Sequence, residues 1–286
     1  MFHLLGLEAN LETVIVLARP YVSDLRGPID GDGLRQGYRR FLEDLQPQVP
    51  TSDLPGPCFV TEPETVRVLL ELFGAESELS DVRYVLAEGD SRGATEALGR
   101  TRSALLELRE LSPALESLFD LVVTTVFAAP SRSADGGTIN TALGVVWVNP
   151  RPSWSTVDFL EFFVHELTHT LVFLSELRHG LYARPAELAD PANFALSALR
   201  RTPRPLDKAL HSAVVAAEIL LAREATLGHP EYPVLHPATA DLADGALASV
   251  ESIAAVAADR DLLLPHALEL LERCRTAIAE VAVCTS

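Results

Sequence analysis

The chain of 286 residues is poor in cysteine, with Cys58, Cys274 and Cys284 widely spaced and in no metal-ligand pattern. An odd, sparse set argues against a disulfide framework and fits reduced thiols in a cytoplasmic protein. Positive charge is also scarce, since 23 Lys and Arg against 40 Asp and Glu leave a formal charge of -17. Such a chain repels a polyanion unless a basic stripe compensates, and the nearest approach to one is "RRTPRP" at 200–205. No nucleic-acid partner is expected. Long apolar runs are missing too: nothing approaches the ~20 residues that span a bilayer, so no membrane partner is expected. The opening "MFHLLGLEANLETVIVL" lacks a basic start, and Glu8 and Glu12 interrupt its apolar face. It reads as a helix rather than a signal peptide.

Hydrophobic residues make up 48% of the chain, enough for one large domain or two small ones. Helical spacing runs through Leu4, Leu5, Leu7, Leu11, Val14, Ile15 and Leu17 until Pro20 stops it. "GLRQGYRRFLEDL" predicts a second helix, and the Pro/Gly-rich "PQVPTSDLPGPC" a long loop or boundary. Thr61 and Glu64 have capping-box spacing at the head of a third helix, and "TRSALLELRELSPALESLFDL" predicts a fourth, bent near Pro113. Strand signals are few: 121–129, 141–150 and, more weakly, 82–88. Beyond residue 155 the pattern is helical over 156–178, 206–226, 238–258 and 261–282. The expected fold is α+β and mainly helical, with a small sheet beside a buried central helix, and not a cupin or jelly roll. A mainly helical region over 1–130 and a metal-binding catalytic region over 131–286, together one compact unit, are the expected organisation.

The central helix carries "FVHELTHTLVF". His165 and His169 are four apart, so both imidazoles share one face and reach one ion. Phe159, Phe162, Phe163, Leu167, Leu171, Val172 and Leu174 make the rest apolar nearly all round, which predicts burial. Ser155 and Asp158 supply an N-terminal cap. Buried imidazoles and a carboxylate need partners, and a metal ion serves all three. An upstream strand and a buried helix are the context in which an H-E-x-x-H match carries weight.

Catalytic sites take three protein ligands, and the candidates lie in "TPRPLDKALHSAVVAAEILLA". Pro205 and Asp207 suit a helix start, and His211 and Glu218, seven apart, share a face of that helix. With Glu218 the set is that of a zinc peptidase in which Glu166 acts as general base. With His211 the set is three neutral ligands, which suits zinc hydroxide or a non-haem Fe(II) awaiting an anionic co-substrate. The remaining histidines, His3, His179, His229, His236 and His266, fall in loops or at helix ends and receive no role.

"VHELTH" followed by "PRPLDKALH" resembles the HExxH-motif peptide β-hydroxylases found with ribosomally made, modified peptides. The matching positions are His165, Glu166 and His169, then Arg204, Pro205, Leu206 and His211, and with "GVVWVNP" upstream the likeness covers roughly residues 140–220. Ahead of "PRPL" this chain has "SALRRT", where the family has a more aromatic segment with a tryptophan next to an arginine. That difference bears on the substrate more than on the metal. The resemblance implies an Fe(II)- and 2-oxoglutarate-dependent hydroxylase acting at the β-position of a peptide or amino-acid-derived substrate. It implies His165, His169 and His211 as iron ligands, with Glu166 orienting a ligand or water. A 2-oxoglutarate site needs a bidentate arginine for the distal carboxylate. Arg204 is the favoured anchor, with Arg201, Arg200 and Arg178 as alternatives. The competing expectation is a zinc metallopeptidase.

Overall fold

A computed structural model describes residues 1–22, 30–52, 56–76, 91–132 and 134–284. It is mainly helical, with a small mixed sheet, as expected. The weak strand signal at 82–88 lies outside the described residues. Among those described, no helix is long and apolar enough to cross a membrane. Cys58 and Cys274 are free thiols.

Two compact units result, Leu7–Trp154 and Met1–Gly6 with Ser155–Ser286. The division after Trp154 lies beyond the expected boundary near residue 130. Strand pairing explains the difference: β2 (Thr125–Ala128) and β4 (Val145–Val148) are parallel neighbours, so a cut at 130 would split a sheet. Helix α1 (Phe2–Ala18) contributes to both units and is kinked at Gly6, whose φ of 81° only glycine adopts readily.

The first unit contains α1 beyond its kink, α2 (Gly31–Leu45), β1 (Cys58–Val60), α3 (Pro63–Glu76), α4 (Ser91–Leu111) and α5 (Pro113–Val122), then β2, β3 (Gly136–Gly137) and β4. The sheet order is β1-β2-β4-β3, with only β3 antiparallel. Every residue of β2 and β4 is buried, which is why both read as continuous apolar runs without alternation. Trp147, Phe127 and Phe73 form the core there, and the Trp147 indole donates to the Ala129 carbonyl at 2.9 Å. The expected bend at Pro113 is a break, since α4 ends at Leu111 and α5 restarts after Ser112. At α3 the cap is Glu62 and not Thr61: its carboxylate accepts from the Glu64 and Thr65 amides. A longer side chain reaches the same orphan donors, so the box spacing misled by one residue.

The second unit is built from α6 (Thr156–His179), the hairpin β5 (Ala195–Leu196) with β6 (Pro203–Arg204), α7 (Leu206–Ala222), α8 (Thr239–Arg260) and α9 (Pro265–Cys284). Helix α7 packs against α6, α8 and α9. All residues from Ala209 to Leu220 are buried, including His211 and Glu218. The capping box of Ser155 and Asp158 is present in full at the start of α6. Ser212 on α7 bonds the Ser197 hydroxyl at 2.9 Å and accepts from the Leu199 amide at 3.0 Å. These contacts pin the segment leading to Arg204.

Candidate metal centre

Between Asp158 and Ser175, α6 is buried except at His165, His169 and Phe173. Spacings of four leave one narrow open stripe on an otherwise buried helix, and the two motif histidines occupy it. His211, from α7, closes the group. His165 Nε2 lies 3.1 Å from His169 Nε2, and His169 Nδ1 lies 3.1 Å from His211 Nδ1. The Phe173 ring covers His211 at 4.6 Å between centroids. Glu166 is buried, with Oε1 4.0 Å from His165 Nε2.

The fourth member is His236, which the sequence reading left without a role. Its Nε2 is 2.9 Å from His165 Nδ1, and its Nδ1 is 2.9 Å from Glu161 Oε2. Glu161 in turn receives Arg223 through two bonds, Nε at 2.7 Å and Nη2 at 3.0 Å. Arg223 opens a π-helical turn, Arg223–Leu227, immediately after α7. The loop carrying His236 is clamped on both sides. Asp158 Oδ1 accepts from the Val234 and Leu235 amides, each at 3.0 Å, and Arg223 Nη1 donates to the Pro237 carbonyl at 2.9 Å. Asp158 thus serves the helix start with one oxygen and the loop with the other.

The chain of contacts has one consistent direction when the histidines are neutral. An ionised Glu161 only accepts, so His236 Nδ1 carries a proton and its Nε2 accepts from His165 Nδ1–H. That leaves His165 Nε2 with its lone pair facing His169. Neutrality follows from the surroundings: burial above all holds His165 well below its usual value. His169 is lowered likewise by burial, then by His165, His211 and Lys208. For His211, burial and then Lys208 bring it down to about 3. Burial pushes Glu161 upward, but hydrogen bonds from His236 and Arg223, with the guanidinium charge, outweigh it and leave the carboxyl lowered.

These shifts fix a pH dependence. Unfolded histidines titrate near 6.5, whereas folded His211 titrates at about 3 and its neighbours are also depressed. Below pH 6.5 the unfolded chain therefore binds more protons, and the metal-free protein loses stability as pH falls through that window. Each such histidine contributes a slope of up to about 1.4 kcal/mol per pH unit. Urea unfolding at about pH 7 and about pH 5 checks this, and equal stability at both would contradict it.

An ion held by two imidazoles at about 2.1 Å sets their nitrogens roughly 3.0–3.4 Å apart, so the Nε2 pair of His165 and His169 has ligand spacing. Three donors do not converge on one point, however, and among the described residues no group of three or more His, Cys, Asp and Glu is arranged around an ion. The cause is visible in His169, which turns one nitrogen to His165 and the other to His211. The pair fits a metal, and His211 adjoins it without completing it.

Glu218 has a different employment. Its side chain is fully buried, its two oxygens accept from the His3 and Leu4 amides at 3.0 and 2.8 Å, and the Met1 amino group lies 3.1 Å away. It caps the first turn of α1. Arg204 is half-buried in β6, two residues ahead of α7, whereas Arg201 is exposed and donates to the Asp241 carbonyl beside Gly245 on α8. Arg200 is exposed and Arg178 half-buried.

No protein-family model and no curated protein matches this chain. The site's chemistry has to be read from its own residues.

Proposed function

We propose that the second unit is a non-haem Fe(II)- and 2-oxoglutarate-dependent hydroxylase acting at the β-position of a peptide or amino-acid-derived substrate. The observation that carries this reading is the partition of the two third-ligand candidates. His211 stands 3.1 Å from His169, while both oxygens of Glu218 are taken by the first turn of α1. His165 and His169 would hold the iron through their facing Nε2 atoms, and His211 would join as third neutral ligand once its contact with His169 Nδ1 is given up, leaving the ion's charge for an anionic co-substrate. Arg204, two residues ahead of the helix that carries His211, would take the distal carboxylate of 2-oxoglutarate through a bidentate contact. When bound, iron and 2-oxoglutarate would activate O2 as the oxidant, two of its electrons coming from conversion of 2-oxoglutarate to succinate and CO2 and two from an unactivated C–H bond of the substrate. The protein's share is positional. Phe173 shields His211, Glu166 orients a ligand or water, and the open stripe of α6 admits the substrate.

The motif resemblance of "VHELTH" and "PRPLDKALH" supports the same reading. The second reading is a zinc metallopeptidase, favoured by Glu166 Oε1 at 4.0 Å from His165 Nε2, where a general base would stand. Succinate formation from 2-oxoglutarate separates the two. It is expected with Fe(II) and to be lost in His165→Ala. Zinc-dependent peptide cleavage abolished by Glu166→Gln, without succinate, would favour the peptidase.

A further inference from the structure

We infer that His236 is a positioning residue for the metal centre, held by Glu161 and Arg223 so that His165 presents Nε2, and only Nε2, to the ion. The inference rests on the metal-centre reading above. It adds three residues to it, none belonging to the H-E-x-x-H motif or to "PRPLDKALH".

A neutral imidazole exists in two tautomers, and only the nitrogen without the proton binds metal. Something must therefore hold the proton on the other nitrogen. Ligating histidines commonly donate it to a carboxylate or carbonyl. Here the acceptor is a second imidazole, His236 Nε2 at 2.9 Å from His165 Nδ1. His236 accepts only if its own proton sits on Nδ1, and Glu161 Oε2 at 2.9 Å requires that. Glu161 is kept ionised by the two-pronged Arg223, whose side chain and that of Glu161 are 0% and 1% exposed. The direction of the relay is thus set by a buried charge pair and ends at the metal-facing lone pair.

Orientation is fixed as firmly as tautomer. The rings of His165 and His236 are close to parallel, 5.2 Å between centroids with 20° between planes, as suits an in-plane N–H···N bond at 2.9 Å. The His236 loop is held by Asp158 through the Val234 and Leu235 amides and by Arg223 through the Pro237 carbonyl. Glu161 also precedes His165 by one helical turn on α6, so a single helix presents both ends of the relay. A buried histidine needing only a partner would be satisfied by Glu161 alone. This one spends its second nitrogen on His165.

The test uses Co(II) as probe on the full chain, with His236→Phe, His236→Gln and the unaltered protein. Affinity is read by titration, ligand field by visible absorption, and the ring proton of His165 as a paramagnetically shifted, exchangeable resonance. His236→Phe is expected to weaken Co(II) binding about 10–100-fold and to lose that resonance to rapid exchange. His236→Gln, which keeps an acceptor, is expected to recover part of both while leaving the visible bands unchanged. Affinity within about twofold and a resonance that persists in His236→Phe would overturn the inference, because a merely structural histidine leaves the ring proton untouched. Altered visible bands in His236→Gln would overturn it differently, by making His236 a ligand. Failure of the unaltered protein to bind Co(II) would instead sink the metal-centre reading itself.

Discussion

Arg223→Ala is expected to lower stability by about 3–5 kcal/mol, the range for breaking a buried ion pair from one side. The cause is specific. The substitution strands Glu161, whose side chain is 1% exposed, with one neutral donor in place of a guanidinium. It also removes the bonds from Arg223 to the Pro237 carbonyl and the Thr239 hydroxyl, loosening the His236 loop. Urea unfolding of the variant beside the parent measures the loss. A difference below about 1 kcal/mol would mean that the pair is solvated in solution, as exposed pairs are.

The second large effect concerns the third ligand. Loss of His165, His169 or His211 to alanine is expected to weaken Fe(II) or Zn(II) binding by more than about a hundredfold, beyond what removing a supporting contact costs. Glu218→Gln is expected to hold metal within about twofold of the parent, because its carbonyl oxygen still accepts from the first turn of α1. Its cost should appear in stability, through the lost charge at a helix start. Equilibrium dialysis with metal analysis reads all four variants. Full binding by His211→Ala together with loss in Glu218→Gln would reverse the assignment and favour the peptidase.

Legibility followed the range of the interactions. Helix α6 could be read because its signals are local: the Ser155–Asp158 box, the apolar sides and the i,i+4 histidines all fall within one segment. Strands β2 and β4 were legible as apolar runs, but their pairing was not, and so the unit boundary was expected too early. Strand β1 was missed because a three-residue element at the end of a proline-rich connector has no periodicity to show. His236 was illegible for a similar reason. It lies in a loop between Leu235 and Pro237, and what makes it part of the site is Asp158 and Arg223, distant in sequence. Glu161 left one trace, a carboxylate one turn ahead of His165 inside an apolar run. A buried acid there demands a basic partner, though not which one.

The resemblance and the structure bear on different questions. "PRPLDKALH" pointed to His211 as a member of the site, and the helix it opens brings that ring against His169. The choice of iron over zinc rests on the resemblance, since three neutral imidazoles serve both metals.

Anaerobic addition of Fe(II) and 2-oxoglutarate to the purified chain tests that choice most directly. A visible charge-transfer absorption that needs both components, and vanishes in His211→Ala, is the predicted result. No absorption in protein that binds Fe(II) fully, with 2-oxoglutarate in excess, would contradict it.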